Sequence, residues 1–166
     1  MPSLMLTAVT IAAMTVAGPA HASSPGPADS AAIVAQIQKA ADGWSNHDPK
    51  LYSSMMAEDV DFTSGVNPVL HGHDPYEQHH VPIFQGIYSA SHLTNTLRSI
   101  RWITPTIASV DWDWKMTGIK TPDGQPAPDR AGLVNWLMVK DKGTWWVKVM
   151  HNANAPPPAP PPAPAR

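Results

Sequence analysis

Between Asp29 and Trp44 the apolar residues Ile33, Ile37, Ala40 or Ala41, and Trp44 recur at spacings of three and four. This is the period of an amphipathic helix, and Asp29 or Ser30 is placed to cap its start. After the bend Ser45-Asn46-His47, the pair Asp48-Pro49 joins a capping acid to proline at the first helical position, predicting a second short helix through Leu51, Met55 and Met56. Val60-Asp61-Phe62 reads as a short strand, and the stretch from Gly65 to Gly72 as a turn or hairpin. Asp74-Pro75-Tyr76-Glu77 repeats the start signal and predicts a third helix from Pro75 to about Ile87. Pro82 inside it is expected to kink or break it, because the ring removes a backbone donor and crowds the preceding turn.

The period then changes from helical to alternating. Leu93 to Ile103, Ile107 to Thr117, Ala131 to Val139 and Trp145 to Asn152 are rich in β-branched and aromatic residues and are separated by turn signals. In the second of these, Val110, Trp112, Trp114 and Met116 share one face while Asp111, Asp113 and Lys115 share the other. By the same alternation Trp145, Val147, Val149 and His151 are expected to lie on one face, which brings a histidine to the end of an apolar row. Helices followed by a meander of long strands predict an α+β domain with three helices packed against one face of a curved antiparallel sheet.

Composition narrows the class. The chain has no cysteine, so no disulfide holds it together, and seven tryptophans supply much of the packing. Eleven basic against thirteen acidic residues, without a basic cluster, leave no electrostatic footprint for nucleic acid or anionic lipid. The ends differ from the middle. Residues 1–22 read as a signal peptide, with an apolar run from Leu4 to Ala17 and the small-x-small ending Ala20-His21-Ala22, although no Lys or Arg precedes the run. The expected location is therefore secreted or periplasmic, with no membrane span in the mature chain. Residues 23–28 form a short linker, the domain covers 29–154, and 155–166 are a proline-rich tail expected to be extended.

Four segments carry a resemblance to a known family: ADGWSNHDP, MAEDVDF, GHDPYEQHHVPIF, and the run Gly-x-Trp-x-Val-x-x-x-His-Asn at 143–152. In this order they resemble the nuclear transport factor 2-like superfamily, and within it the SnoaL-like proteins of the SgcJ/EcaC type. The resemblance implies a cone, in which a bent sheet wraps three helices and leaves a pocket at its wide end, commonly in a homodimer packed sheet to sheet. It does not imply one function, since the superfamily holds isomerases, cyclases, dehydratases and hydrolases as well as binding and assembly domains.

The resemblance also ranks the site candidates. His80 matches the family's helix histidine and lies four residues before Phe84, on the same helical face, so it is a candidate general acid or base; the plainer alternative is a histidine that orders the helix. Asp61 lies on the strand that lines the family's pocket and is a second candidate base, or else pairs with His80 or backbone donors. Asn135, His151 and Asn152 are candidate substrate-binding residues, or polar groups that satisfy one another at the pocket base. Trp44 and Trp112 are expected in the pocket wall. His71, His73 and His79 are the only candidates for a metal, which needs three or four ligands converging at about 2.0–2.2 Å. Adjacent His79 and His80 point about 100° apart on a helix and make poor co-ligands. No nucleotide-binding glycine fingerprint or other cofactor motif is present, so no cofactor is expected.

These observations point to an exported domain that binds a small apolar or amphipathic molecule in a cone pocket. If chemistry takes place there, it is cofactor-free proton transfer of the isomerase, cyclase or hydratase kind, with His80 and Asp61 as acid and base. Two alternatives stay open: a non-catalytic dimeric binding or assembly module, and a His-rich periplasmic metal-binding protein.

Overall fold

The computed structural model describes residues 24–65 and 69–156; the expected signal peptide, the tail from 157 onward and part of the turn after Gly65 lie outside the described residues. Helix α1 (Pro27–Ser45) buries Ile33, Ile37, Ala40, Ala41 and Trp44 along one stripe, as the spacing predicts. It begins two residues before Asp29, with Gly26 as its N-cap and proline at the first position. Asp29 closes the first turn from within, accepting from the Gly26 amide at 3.2 Å. The same carboxylate accepts from Lys140 Nζ at 2.6 Å and from Trp145 Nε1 at 3.0 Å, which ties the start of α1 to the far end of the sheet. Those donors, Lys140 first, hold the Asp29 carboxyl down at about 2.

Asp48 caps α2 (Pro49–Ser53) by accepting from the Lys50 and Leu51 amides, both at 3.0 Å. The helix ends at Ser53, short of Met55, and Met56 already belongs to strand β1 (Met56–Ser64). Gly43 makes the junction of α1 and α2 possible: any side chain there would strike the backbone of Leu51 and Tyr52. Strand β2 (Val69–His71) returns antiparallel on β1, pairing Asp61 with His71. Helix α3 (His73–Gln85) starts after Gly72, not at the expected Asp74 cap, and continues through Pro82 without a break. Proline sits in the last turns of α3, where the loss of one backbone bond is small against the packing of Phe84.

Strands β3 (His92–Thr104), β4 (Ile107–Thr117), β5 (Arg130–Asp141) and β6 (Thr144–Asn154) form the antiparallel meander. The sheet is curved and unclosed, in the order β2-β1-β6-β5-β4-β3, and β1 joins it by running parallel to β6. Its inner face carries Val60, Phe62, Val110, Trp112, Trp114, Met116, Val134, Trp136, Met138, Trp145, Val147 and Met150, all buried against the helices. The α+β arrangement of helices on one face of a curved sheet is what the pattern of periods predicts, and its cone shape is what the family resemblance implies. None of the helices among the described residues is long and apolar enough to cross a membrane.

One irregularity alters the last strand. The pairing of β5 with β6 shifts between Leu137 and Met138, so that Val149 faces Leu137 while Val147 faces Met138, and Lys148 is the extra residue. Beyond the bulge the alternation inverts. Met150 and Asn152 take the inner face, and His151 becomes exposed on the outer one.

Candidate functional site

The wide end of the cone holds a cavity of about 140 Å³ between α3 and the inner face of the sheet. Its floor and walls are aromatic and apolar: Trp44, Tyr52, Phe62, Ile83, Leu93, Trp112, Trp114, Met116, Val134 and Met150. Polar groups enter from His79, His80, Ser64, Tyr88, Arg130, Asn152 and Asn154.

His80 is placed by the face of α3 that also buries Tyr76 and Phe84, at spacings of four. It is 4% exposed and sits among rings, 4.5 Å from Tyr76 and 4.8 Å from Tyr52 between centroids. Its Nδ1 lies 2.7 Å from the Tyr76 carbonyl oxygen. A carbonyl only accepts, so Nδ1 carries the proton, and Nε2 is the lone-pair nitrogen left for a cavity ligand. Burial pulls the His80 pKa down to about 4, with the Tyr76 carbonyl offsetting part of the cost of charging the ring. At neutral pH the ring is a neutral imidazole. Burial also pushes the Tyr52 phenol up to about 12 and that of Tyr76 well above the usual range, so both stay protonated and able to donate.

Trp44 donates from Nε1 to the buried Ser91 hydroxyl at 2.9 Å, and its ring meets Tyr52, Phe84 and Tyr88 edge-on. Trp112 packs edge-to-face on Trp136 at 5.2 Å. The indole N–H groups of this pair are buried without a hydrogen-bond partner among the described residues, so Trp112 offers the cavity an apolar surface only. Trp114 donates from Nε1 to Asn152 Oδ1 at 2.9 Å. Indole is donor-only, so this contact fixes which way the amide points and leaves the Asn152 Nδ2 donors for the cavity.

Three of the residues expected in the pocket are elsewhere. Asp61 lies on the outer face of β1, its side chain 56% exposed, where it accepts from His71 Nδ1 at 2.6 Å. Val60 and Phe62 take the inward positions on either side, and period-two alternation cannot put three successive side chains inside. Asn135 faces outward from β5 and donates to Asp111 Oδ1 at 2.7 Å and Ser109 Oγ at 3.1 Å, which satisfies it on the charged face. His151 is turned out by the Lys148 bulge, and Asn152 takes its inward place.

The metal candidates do not converge. His71 is engaged with Asp61, His73 Nδ1 lies 3.4 Å from Asp74, and His79 stands at the cavity rim, its pKa lowered by burial. Among the described residues no three His, Asp or Glu side chains come together to hold an ion.

Several residues at the site have no expected counterpart in the sequence reading. Tyr76, which does not line the cavity but holds His80 through its carbonyl, repeats the spacing of four seen in His80 and Phe84, a signal present in the chain. Arg130 heads the even-numbered row Arg130, Gly132, Val134, Trp136, Met138, and so ends an otherwise apolar face. Tyr52 carried no such signal, because it depends on the close approach of α2 to α1 at Gly43.

A scan of family models finds no match to this chain, and a search of curated protein sequences finds none either. Solved structures do match. An uncharacterised protein with a cystatin-like fold from Caulobacter vibrioides is 24% identical with a TM-score of 0.66, covering 77% of this chain and 90% of that one. An NTF-2 like protein from Shewanella oneidensis MR-1 is 17% identical with a TM-score of 0.63, covering 75% and 98%. A ketosteroid isomerase-like protein from Erwinia carotovora atroseptica is 14% identical with a TM-score of 0.65, covering 76% and 96%. The chain has the nuclear transport factor 2-like fold, in which isomerase-type proteins and proteins of no assigned activity share one cone. At these identities the likeness defines the architecture, and the chemistry rests on the cavity itself.

Proposed function

We propose that this chain is an exported cone-shaped domain that binds a small apolar or amphipathic molecule in the cavity and moves a proton on it through His80. The observation that carries this reading is the state of that ring: buried among aromatics and held as the Nδ1–H tautomer, with Nε2 as the free base on a cavity wall. Asp61 is no part of the site, so a single base accepts the proton and returns it to the ligand. Tyr52 and the Asn152 amide are the donors for an oxygen on which negative charge develops. A homodimer belongs to the same proposal. Leu133, Leu137 and Val139, on the side of β5 turned away from the helices and only partly buried, support a partner there.

The test is deuterium exchange. A panel of small enolisable ketones in D2O is followed by proton NMR with the protein and with its His80→Ala variant. The expected result is protein-dependent exchange that falls by about 100-fold or more in the variant. Equal rates for the two proteins would remove His80 from the chemistry. Native mass spectrometry of protein purified without a metal column then separates the readings: an organic mass supports the cavity, whereas a metal mass lost on chelation supports the histidine-rich alternative.

A further inference from the structure

Among the described residues, Arg130 is the one fully charged side chain on a cavity lined otherwise by aromatic, aliphatic and neutral polar groups, and no carboxylate is among those lining it. Its guanidinium is held in place by two neutral acceptors. Nη1 donates to the Tyr88 hydroxyl at 2.6 Å, and Nη2 donates to Asn154 Oδ1 at 2.7 Å. Neither partner cancels its charge. The adjacent acid in the chain, Asp129, is paired instead with Lys115 at 3.4 Å, and among the described residues Arg130 forms no salt bridge.

This arrangement contrasts with most other cations of the sheet. Arg98, Lys115, Lys140 and Lys148 each face a carboxylate, and Arg101, exposed on β3, is not among the cavity-lining residues. The cation at the cavity mouth is oriented by neutral hydrogen bonds without being neutralised. A partly buried guanidinium anchored by neutral hydrogen bonds retains further N–H donors in a planar fork, and that fork matches a carboxylate. The low-dielectric aromatic wall below it strengthens its field, since fewer water dipoles oppose it.

Size sets the rest of the ligand. A cavity of about 140 Å³ is close to the engineered cavity of about 150 Å³ that accepts a benzene ring. Its walls offer ring faces and edges from Trp44, Tyr52, Phe62 and Trp114. From these features we infer that the cavity takes a small monocyclic carboxylate, with its ring among these aromatics and its carboxylate on Arg130 at the mouth. This rests on the reading of the cavity as a ligand site and names the class of ligand. It also separates two tasks, since Arg130 orients the anion at the rim while His80 meets the ring or its substituent deeper in.

Benzoate and benzamide, which share shape and differ in charge, are the probes, titrated into the full chain by calorimetry. The expected result is benzoate binding tighter than benzamide by about tenfold or more at low salt. Raising the ionic strength from about 0.05 M to about 0.5 M weakens benzoate alone. Arg130→Gln reduces the preference to about twofold or less, and Arg130→Lys, which keeps the charge and loses the fork, falls between. The comparison of probes and the salt series need no variant, so they stand even if Arg130→Gln fails to fold. Benzamide binding as tightly as benzoate overturns the carboxylate assignment and leaves the ring-sized site intact. Binding of neither probe overturns the assignment and the ligand site with it.

Discussion

His71 and His80 lie nine positions apart in one histidine-rich stretch, yet the fold gives them opposite surroundings. His71, on the edge strand, is exposed to water and hydrogen-bonded to the Asp61 carboxylate. His80, on the inward face of α3, meets aromatic rings and a backbone carbonyl, and only its neutral form is well served. The same contrast separates the two faces of the sheet. Outside, Asp111, Asn135, Asp113 and Arg98 satisfy one another at the surface; inside, a few polar groups are spaced along an apolar wall. Outside, polar groups pair with one another; inside, each is held by one or two neighbours among aromatic rings.

The strongest way to break the comparison is acid. The folded His80 binds a proton only near pH 4, whereas the unfolded ring binds it near 6.5. The unfolded state therefore takes up more protons in that interval, so stability is full above pH 6.5 and falls as pH drops toward 4, by about 3 kcal/mol in total. Urea melts from pH 4 to 7 check this against His80→Phe, which fills the site without titrating and is expected to flatten the curve. An unchanged slope in that variant would mean that other groups carry the acid sensitivity.

The next effect concerns the wall. A methyl group on Gly132 would collide with the Trp114 indole and the Ala153 carbonyl, so Gly132→Ala is expected to cost about 1–3 kcal/mol. It is also expected to displace Trp114 from Asn152, which a weakening of benzoate binding measured at a temperature where the variant is still fully folded would report. The smallest effects belong outside. His71→Ala removes an exposed hydrogen bond to Asp61 and His151→Ala an exposed strand residue, and each is expected to change stability by less than about 0.5 kcal/mol and to leave ligand binding as it was. A marked loss of binding in either would mean that the outer face takes part in the site.

Much of the architecture was legible in the chain because periods of 3.6 and 2 report directly which face of an element is apolar. The helix through Ile33, Ile37 and Trp44 and the strand of Val110, Trp112, Trp114 and Met116 follow that rule residue by residue. Of the candidates read from the sequence, His80, Trp44, Trp112 and Asn152 line the cavity, and Asp61, Asn135 and His151 do not. Asp61 and Asn135 show why: each alternates with buried neighbours, so the local pattern already turned them outward, and only the family likeness and the need of a buried amide for a partner argued for the pocket. His151 is a different failure. Plain alternation was the right rule, and one extra residue at Lys148 reversed it.

The order of periods along the sequence thus determined the elements, the α+β class and the apolar face of each strand, because burying that face is what folds the chain. The tertiary structure decided which polar side chains share a space. It set the Lys148 bulge through the register of β5 on β6, brought Tyr52 against His80 through the close contact at Gly43, and left Arg130 at the cavity mouth while Asp129 turned to Lys115. Those outcomes depend on neighbours distant in the chain, and no local period encodes a distant neighbour.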